Sequence, residues 1–378
     1  MDPSQFTDDA PGELTEIPVA GWAYIPDPLP PPLSITPQVL RLLSEADRAV
    51  GELEGAGHII PNPELFIGPF LRREAVYSSR IEGTVTSFDD LGLFEVSGIR
   101  AEEDTQEVGN YVRATRHGLA QLDKIPPSLR LIREVHNVLL EHVRGRDRHP
   151  GEFRSIQNYI RGGGLTEKTA RYVPPSPEHM LTSLYQLEEY MNGQRTYPDL
   201  IELALIHYQF EAIHPFEDGN GRIGRVLITL LMASWNLLAN PLLSISSFIS
   251  AHREEYQDSL LAVSRTGDWN RWFTFFLTAI QEESMNAAQR AKSLLELRET
   301  YRTKSMAISN SAYDLTIIDE LIESPWITAV MIRGKCDVSS PTAHSIIKRL
   351  MSLDILELHD DRQRNRIYVA PSIIAAFE

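Results

Sequence analysis

Two apolar runs at helical spacing enclose a short polar stretch, and few folds accommodate that order. Leu203, Ile206, Phe210 and Ile213 repeat every three or four residues, as one buried helical face does, and a charge-free apolar run begins at Val226. Between them stands His214-Pro215-Phe216-Glu217-Asp218-Gly219-Asn220-Gly221-Arg222-Ile223-Gly224-Arg225. Gly219-Asn220-Gly221 lets the backbone turn sharply and aim successive N–H groups into one concavity at the start of the second helix. That is an anion nest reinforced by the helix dipole, and a phosphate is its natural occupant. Arg222 and Arg225, three apart, project from the same side and can hold further phosphate oxygens. Asp218 is a hard oxygen ligand suited to Mg²⁺, and His214 is a general base with a pKa near neutrality.

The rest of the chain reads as mainly α. Helical periods cover Val39 to Leu53, Phe70 to Glu82, Glu107 to Leu122, Leu129 to Val143, Glu178 to Met191 and Leu200 to Ile213, and a long connector runs from Trp269 to about Arg302. The helix from Val226 is expected to end near Ala239. Residues 1 to 36, rich in proline, read as extended and aperiodic, with no chemistry expected. Tyr159 to Pro177, with glycines at 162–164 and a Pro174-Pro175 close, suits a β-hairpin flap. Residues 311 to 378 read as helices at Tyr313 to Glu323, at Ile327 to Cys336 and after Ser339-Ser340-Pro341, then strands Ile355 to Leu358 and Arg366 to Val369 around a polar tip at Asp360 to Gln363. That order resembles a winged helix-turn-helix. The division expected is 1–100, an arm with helices; 101–303, a catalytic core; and 304–378, the winged unit.

Competing readings of the same residues carry less. Gly219-x-Gly221-x-x-Gly224 spells the dinucleotide fingerprint, but the preceding segment is helical and no acid follows between Val226 and Ser250. Gly162 to Thr169 nearly spells a P-loop, with Glu167 where a glycine is required. His207, seven before His214, lacks a third metal ligand and reads as a buried, hydrogen-bonded histidine. Trp235, Leu237 and Leu238 read as core, and Cys336 as a small packed hydrophobe.

Composition bounds the partners. The 378 residues carry 36 Lys+Arg against 52 Asp+Glu, a net charge of −16, so phosphate backbones and anionic membranes are repelled over most of the surface. Residues 311 to 378 hold seven basic and ten acidic side chains, 7 − 10 = −3, a poor footprint for DNA, so protein docking or a dimer contact is the better reading there. Val226 to Ser250 is broken by Asn236 and Asn240-Pro241 and reads as a buried helix, not a membrane span. A single cysteine, and an N-terminus without a signal-peptide pattern, make the cytoplasm the expected compartment.

At all eight of its specified positions the polar stretch matches H-x-F-x-(D/E)-G-N-G-R-x-x-R, and the chain thereby resembles the Fic family. Ser78-Ser79-Arg80-Ile81-Glu82-Gly83 looks like that family's inhibitory motif, (S/T)-x-x-x-E-(G/N), in the class whose inhibitory helix is N-terminal. Gly151-Glu152-Phe153-Arg154 through Pro177 looks like its flap region. The resemblance implies a protein adenylyltransferase that moves AMP from ATP to a hydroxyl side chain of a target protein or of itself. His214 would deprotonate that hydroxyl and Asp218 would hold Mg²⁺. Asn220 with the amides of Gly219, Gly221 and Gly224 would bind the α-phosphate region, Arg222 the β-phosphate and Arg225 the γ-phosphate. Thr169 to Val173, with Arg171 and Tyr172, would cover the nucleotide and align the target as an added strand. Ser78, Glu82 and Gly83 form the inhibitory segment, in which Glu82 would pair with Arg225 and displace the γ-phosphate. Gly221 fits the AMP-transferring pattern, whereas lysine there would suggest the kinase branch. Tyr256 is either an adenine contact or a core aromatic. A homodimer is expected from the family. Two alternatives stay open: removal of AMP by the same site, and a nucleotide-sensing DNA-binding regulator.

Overall fold

The computed structural model describes the chain except for residues 19–20, 60–61, 63, 98–102, 144–146, 162–169, 310, 360–364 and 378. Fifteen α-helices and three small antiparallel sheets make up the described residues, the helical fold expected. The N-terminal segment departs from the expectation of an aperiodic arm: β1 (Gly12–Ile17) and β2 (Gly21–Pro26) form an antiparallel hairpin, Gly12 opposite Pro26 and Ile17 opposite Gly21. Most of the prolines lie beyond the strands, and Tyr24 of β2 is fully buried, its N–H bonded to the Val173 carbonyl at 2.9 Å. The hairpin is part of the core.

Next come α1 (Pro37–Ile59), α2 (Glu64–Ile81), α3 (Phe88–Ser97), α4 (Glu103–Leu122) and α5 (Leu129–Leu139). The flap strands β3 (Ile160–Arg161) and β4 (Ala170–Tyr172) pair antiparallel, with Ile160 opposite Tyr172. The flap's glycines and Thr169 lie outside the described residues. Then follow α6 (Pro177–Asn192), α7 (Asp199–Ile213), α8 (Asn220–Ser234), α9 (Ile245–Ala251), α10 (Arg253–Thr266) and the connector α11 (Trp269–Ile308). The second apolar helix ends at Ser234, not near Ala239, because Asn236 adopts a left-handed φ of 56° two residues on.

Of the fifteen residues of α7 all but Asp199 and Glu211 are buried, which makes it the central helix. Against it pack α8, α6, α10, α11 and β2. One contiguous cluster of buried apolar side chains runs from Tyr24 to Phe377, so arm, core and tail share a hydrophobic interior.

The C-terminal residues run α12 (Ala312–Glu323), β5 (Trp326–Thr328), α13 (Ala329–Cys336), α14 (Ser340–Ser352), β6 (Glu357–Leu358), β7 (Ile367–Val369) and α15 (Pro371–Phe377), with sheet order β5-β7-β6. Ile327 belongs to a strand, not to the helix expected: Trp326, Ile327 and Thr328 favour extended backbone, and the Thr328 hydroxyl then caps α13 by accepting from the Met331 N–H at 3.2 Å. The polar tip at 360–364 lies outside the described residues. Phe377 of α15 meets Phe70 of α2 edge-on at 5.1 Å and stacks on Phe88 at 5.4 Å, so the tail leans on α2. No helix among the described residues is long and apolar enough to cross a membrane.

Candidate active site

The reactive loop is shaped by how α7 stops. His214 caps that helix with φ 51° and ψ 63°, a left-handed conformation rare outside glycine, and Pro215 prevents the helix from continuing. Buried groups from distant segments hold the turn. Arg154 donates from Nε to the His214 carbonyl at 2.9 Å and through its other nitrogens to the carbonyls of Ile156 at 3.0 Å and Pro175 at 2.6 Å, joining the loop to the flap. Asn158 donates to the Phe216 carbonyl at 2.6 Å.

His136 of α5 stacks on Phe216 with 3.7 Å between ring centres and 6° between planes. Its Nδ1 accepts from the Gly151 N–H at 2.8 Å, so Nε2 carries the proton and donates to the Asp218 carbonyl at 3.0 Å. Burial pushes His136 down to about 4, and it stays neutral in this tautomer.

Gly219, at φ 80°, makes the turn into α8. Its N–H donates to Asp218 Oδ1 at 2.7 Å, which fixes one oxygen of a half-exposed carboxylate. The side chain of Asn220, assigned above to the α-phosphate region, is instead occupied within the loop. Its Oδ1 accepts from the Phe216 N–H and its Nδ2 donates to the Phe216 carbonyl, both at 2.8 Å.

The two arginines do not project together as expected. Arg225, 1% exposed, turns to α2, donating from Nε to the Ser78 hydroxyl at 2.8 Å and from one terminal nitrogen to the Ser78 carbonyl at 2.9 Å and Glu82 Oε1 at 2.8 Å. Arg222 turns to α4, 3.5 Å from Glu107, whose carboxylate also accepts from the Thr84 hydroxyl at 2.9 Å; Asp218 lies 3.5 Å away on its other side. Glu82 lies just past the end of α2, before Gly83 at φ 93°, where glycine suits the stop. Burial alone would raise the Glu82 carboxyl, but Arg225 beside it holds it below its ordinary value.

His214, Gly221, Arg225, Glu82, Arg171, Tyr172 and Tyr256 all line one cavity of about 170 Å³. Arg171 is held toward α10 by Gln257, at 3.1 Å, and by Asp258. Val173 is not among the lining residues; it is buried with Ala23 and Ala170 behind the flap. Tyr256 is both a wall and a core aromatic: it faces the cavity while its hydroxyl meets Nε2 of buried His207 at 2.8 Å. His207 is thus the hydrogen-bonded histidine expected, and no cluster of three metal-ligating side chains occurs among the described residues.

The glycines leave space for side chains. A Cβ on Gly221 would come within 2.3 Å of Glu82 Oε1, and one on Gly224 within 2.4 Å of Glu211 Oε1, so Gly224 accommodates a carboxyl instead of approaching phosphate. Among the described residues, His214 Nδ1, Glu211 Oε1 and Arg222 Nε are buried at the site without a hydrogen-bond partner. Burial, then Arg154, pushes His214 down to about 4 against the opposite pull of Glu82, Asp218 and the Glu211 carbonyl. Its imidazole is therefore neutral and able to take a proton. The arrangement offers a base, an anion nest, a carboxylate for a hard cation and two arginines held by carboxylates.

Sequence reasoning missed His136, Glu107, Thr84 and Glu211, and it placed Arg154 and Asn158 in the flap region without their role in bracing the loop. Each was detectable only as a polar residue in an apolar or unremarkable setting. His136, for instance, lies on the buried stripe of Ile132, Val135 and Leu139.

Comparison with known proteins agrees with this architecture. Residues 40–120 match the Fic/DOC family N-terminal profile and residues 126–232 match the Fic/DOC family profile. The Protein adenylyltransferase Fic of Drosophila melanogaster is 31% identical over 164 residues, 41% of this chain and 31% of the fly protein. That of Aedes aegypti is 32% identical over 162 residues, 42% of this chain and 28% of the mosquito protein. The chain thus matches about a third of the length of these relatives. A Fic family protein from Desulfovibrio desulfuricans G20 shares the fold with a TM-score of 0.57 at 22% identity, covering 90% of this chain and 98% of that one. Fic-1 of C. elegans, residues 134 to 508, does so at 0.51 and 23%, covering 69% and 75%. With the helix–loop–helix site at its centre and both profiles matched in order, the chain is a Fic-domain protein.

Proposed function

We propose that this protein transfers AMP from ATP to a hydroxyl side chain of a protein, and that Glu82 restrains the reaction. The observation that carries this reading is the pairing of Arg225 with Glu82 at 2.8 Å in the same cavity as a neutral His214. A carboxylate on that guanidinium competes with a phosphate for the same donors.

When Glu82 withdraws, Arg225 is freed for the γ-phosphate, and the nest formed by the N–H groups at the start of α8 receives the α-phosphate. The His214 imidazole accepts the proton of the target hydroxyl, whose oxygen forms a bond to the α-phosphorus. The bond from that phosphorus to the bridging oxygen breaks, and pyrophosphate leaves with the electron pair. Asp218 fits a Mg²⁺, since its carboxylate is half-exposed beside the loop and one oxygen is fixed by the Gly219 N–H; such an ion would neutralise charge on the phosphates. Flap residues Ala170 to Val173 and the described C-terminal residues 311–377, read as a winged helix, are proposed to select the target. In the tail Arg349 pairs with Asp314, and Lys335 with Glu320, which favours a protein partner over DNA.

The test uses the Glu82→Gly protein with Mg²⁺, candidate target proteins, and ATP labelled separately at the α- and γ-phosphate. Covalent label from the α position, falling about 10²–10⁴-fold in Glu82→Gly/His214→Ala, is the expected result. Label from γ alone makes the site a kinase. No incorporation, with release of AMP from previously modified protein, makes removal the reaction.

A further inference from the structure

Glu107 joins the two arginines of the loop through the segment that carries Glu82. It is a buried carboxylate on α4, and one oxygen, Oε2, faces two partners: it accepts from the Thr84 hydroxyl at 2.9 Å and lies 3.5 Å from the Arg222 guanidinium. Thr84 stands two residues after Glu82, which holds Arg225 at 2.8 Å, and Arg225 stands three residues after Arg222 on α8. The contacts therefore close a ring. It runs from Arg225 to Glu82, along the chain to Thr84, across to Glu107, on to Arg222, and back through less than one turn of helix.

The segment after Glu82 is fastened along its length. The Thr84 N–H donates to the Ser79 carbonyl at 3.1 Å, the Val85 N–H donates to Asp104 of α4 at 3.0 Å, and the hydroxyls of Thr86 and Thr105 meet at 3.4 Å. Arg222 is the loosest member of the ring. Its contacts with Glu107 and Asp218 are both 3.5 Å, and its buried Nε has no hydrogen-bond partner. Held on the α4 side, it does not line the cavity that Gly221 and Arg225 line. To meet a phosphate there it must shift from its place beside Glu107. A buried carboxylate left without its cation is costly, so Glu107 follows Arg222 and its bond to Thr84 gives way.

We propose that Glu107 is a positioning residue for the restraint: through Thr84 it anchors the segment that carries Glu82, and a phosphate drawn onto Arg222 loosens that anchor. The assignment rests on the nucleotide reading of the site. Its consequence is that the β-phosphate helps to clear the way for the γ-phosphate, because the arginine that takes the first is tied to the carboxylate that blocks the second. A nucleotide ending at the α-phosphate lacks this lever. Loss of the anchor alone raises the fraction of molecules with Glu82 withdrawn, and apparent affinity for ATP rises with that fraction.

The test joins two measurements on the full chain. Calorimetric binding of ATP is compared for Thr84→Val and Thr84→Ser, each with Glu82 present and in the Glu82→Gly chain. Thr84→Val should tighten ATP binding about tenfold where Glu82 is present, as release of one hydrogen bond to a charged group implies, and change it less than twofold in Glu82→Gly, where nothing remains to anchor. Thr84→Ser keeps the hydroxyl and should behave as threonine does. Glu107→Gln, a neutral and weaker acceptor, should shift the Glu82-containing chain in the same direction and covers the case that Thr84→Val fails to fold. Hydrogen exchange of the peptide covering residues 83–87 is then followed in the wild type with saturating ADP or AMP. ADP should speed exchange of the Thr84 and Val85 amides, and AMP should not. Equal effects of Thr84→Val in both backgrounds would make its contact with Glu107 mere packing, and equal exchange with ADP and AMP would sever the link to Arg222; either overturns the assignment. If even the Glu82→Gly chain binds no nucleotide, the nucleotide reading fails and takes this assignment with it; binding without the dependence on Glu82 removes the assignment alone.

Discussion

Burial makes His214 available as a base, because desolvation disfavours the imidazolium and Arg154 repels it. Its pKa, pushed down to about 4, keeps the basic form populated to well below neutrality, so kcat of the Glu82→Gly protein at saturating ATP should not fall on His214 protonation between pH 8 and 6. An acid limb near 6.5 that disappears in no variant but those of His214 would contradict this. Gly221 gives a second test. A Cβ there would meet Glu82 Oε1 at 2.3 Å, so Gly221→Ala should destabilise the wild type by about 1–3 kcal/mol and the Glu82→Gly protein markedly less, measured by denaturant unfolding. Equal losses in both backgrounds would show that the crowding is not with Glu82. The motif from His214 to Arg225 was legible because its chemistry is local. Its supports were not: His136 reaches Asp218 across 82 positions and Arg154 reaches His214 across 60, contacts that no local pattern announces. Asn220 was legible as a site residue but not as a brace, since only the folded loop shows its amide turned back on Phe216.

The carboxylate proposed to restrain the site, Glu82, is only as well placed as α2, the helix that delivers it. Upstream of Ser78, α2 is fixed by Arg72, which bonds to Glu95 at 2.7 Å and to the Glu323 carbonyl at the end of α12 at 2.6 Å. It is fixed again by buried Glu74, which accepts from the Ser246 N–H at 3.0 Å and from the Tyr111 hydroxyl at 3.2 Å. Arg72→Met should therefore loosen α2 and raise the basal rate of α-label incorporation several-fold, less than Glu82→Gly does, with Arg225 and His214 untouched. An unchanged rate would show that the tail does not contribute to the restraint. Long helices with a clear apolar stripe were legible to within a few residues at most ends, as α1 and α11 show, though both run further than their periods suggested. Short elements were legible only where turn residues or alternation marked them, as in the flap and the strands β6 and β7. Helices α9 and α15 span seven residues each, too few for a period to emerge, and β1 and β2 were concealed by the prolines around them.

Across the described residues, one hydrophobic interior couples the β1–β2 hairpin, the helices that carry the site and the tail, so the units divided by composition are packed as one body of side chains. The net charge of −16, and the pairing of Arg349 and Lys335 with carboxylates, predict that the full chain shows no salt-dependent binding to duplex DNA at physiological ionic strength. A steep fall of a measurable affinity with added salt would assign the tail to DNA. The central claim is that a helix-borne carboxylate blocks an otherwise competent AMP-transfer site. The most direct measurement is the initial rate of α-label incorporation from ATP by the wild type, Glu82→Gly and Glu82→Gly/His214→Ala, side by side. The account predicts slow incorporation by the wild type, a large increase on removing Glu82, and its loss with His214. Equal rates for the wild type and Glu82→Gly, or incorporation that survives the loss of His214, would contradict it.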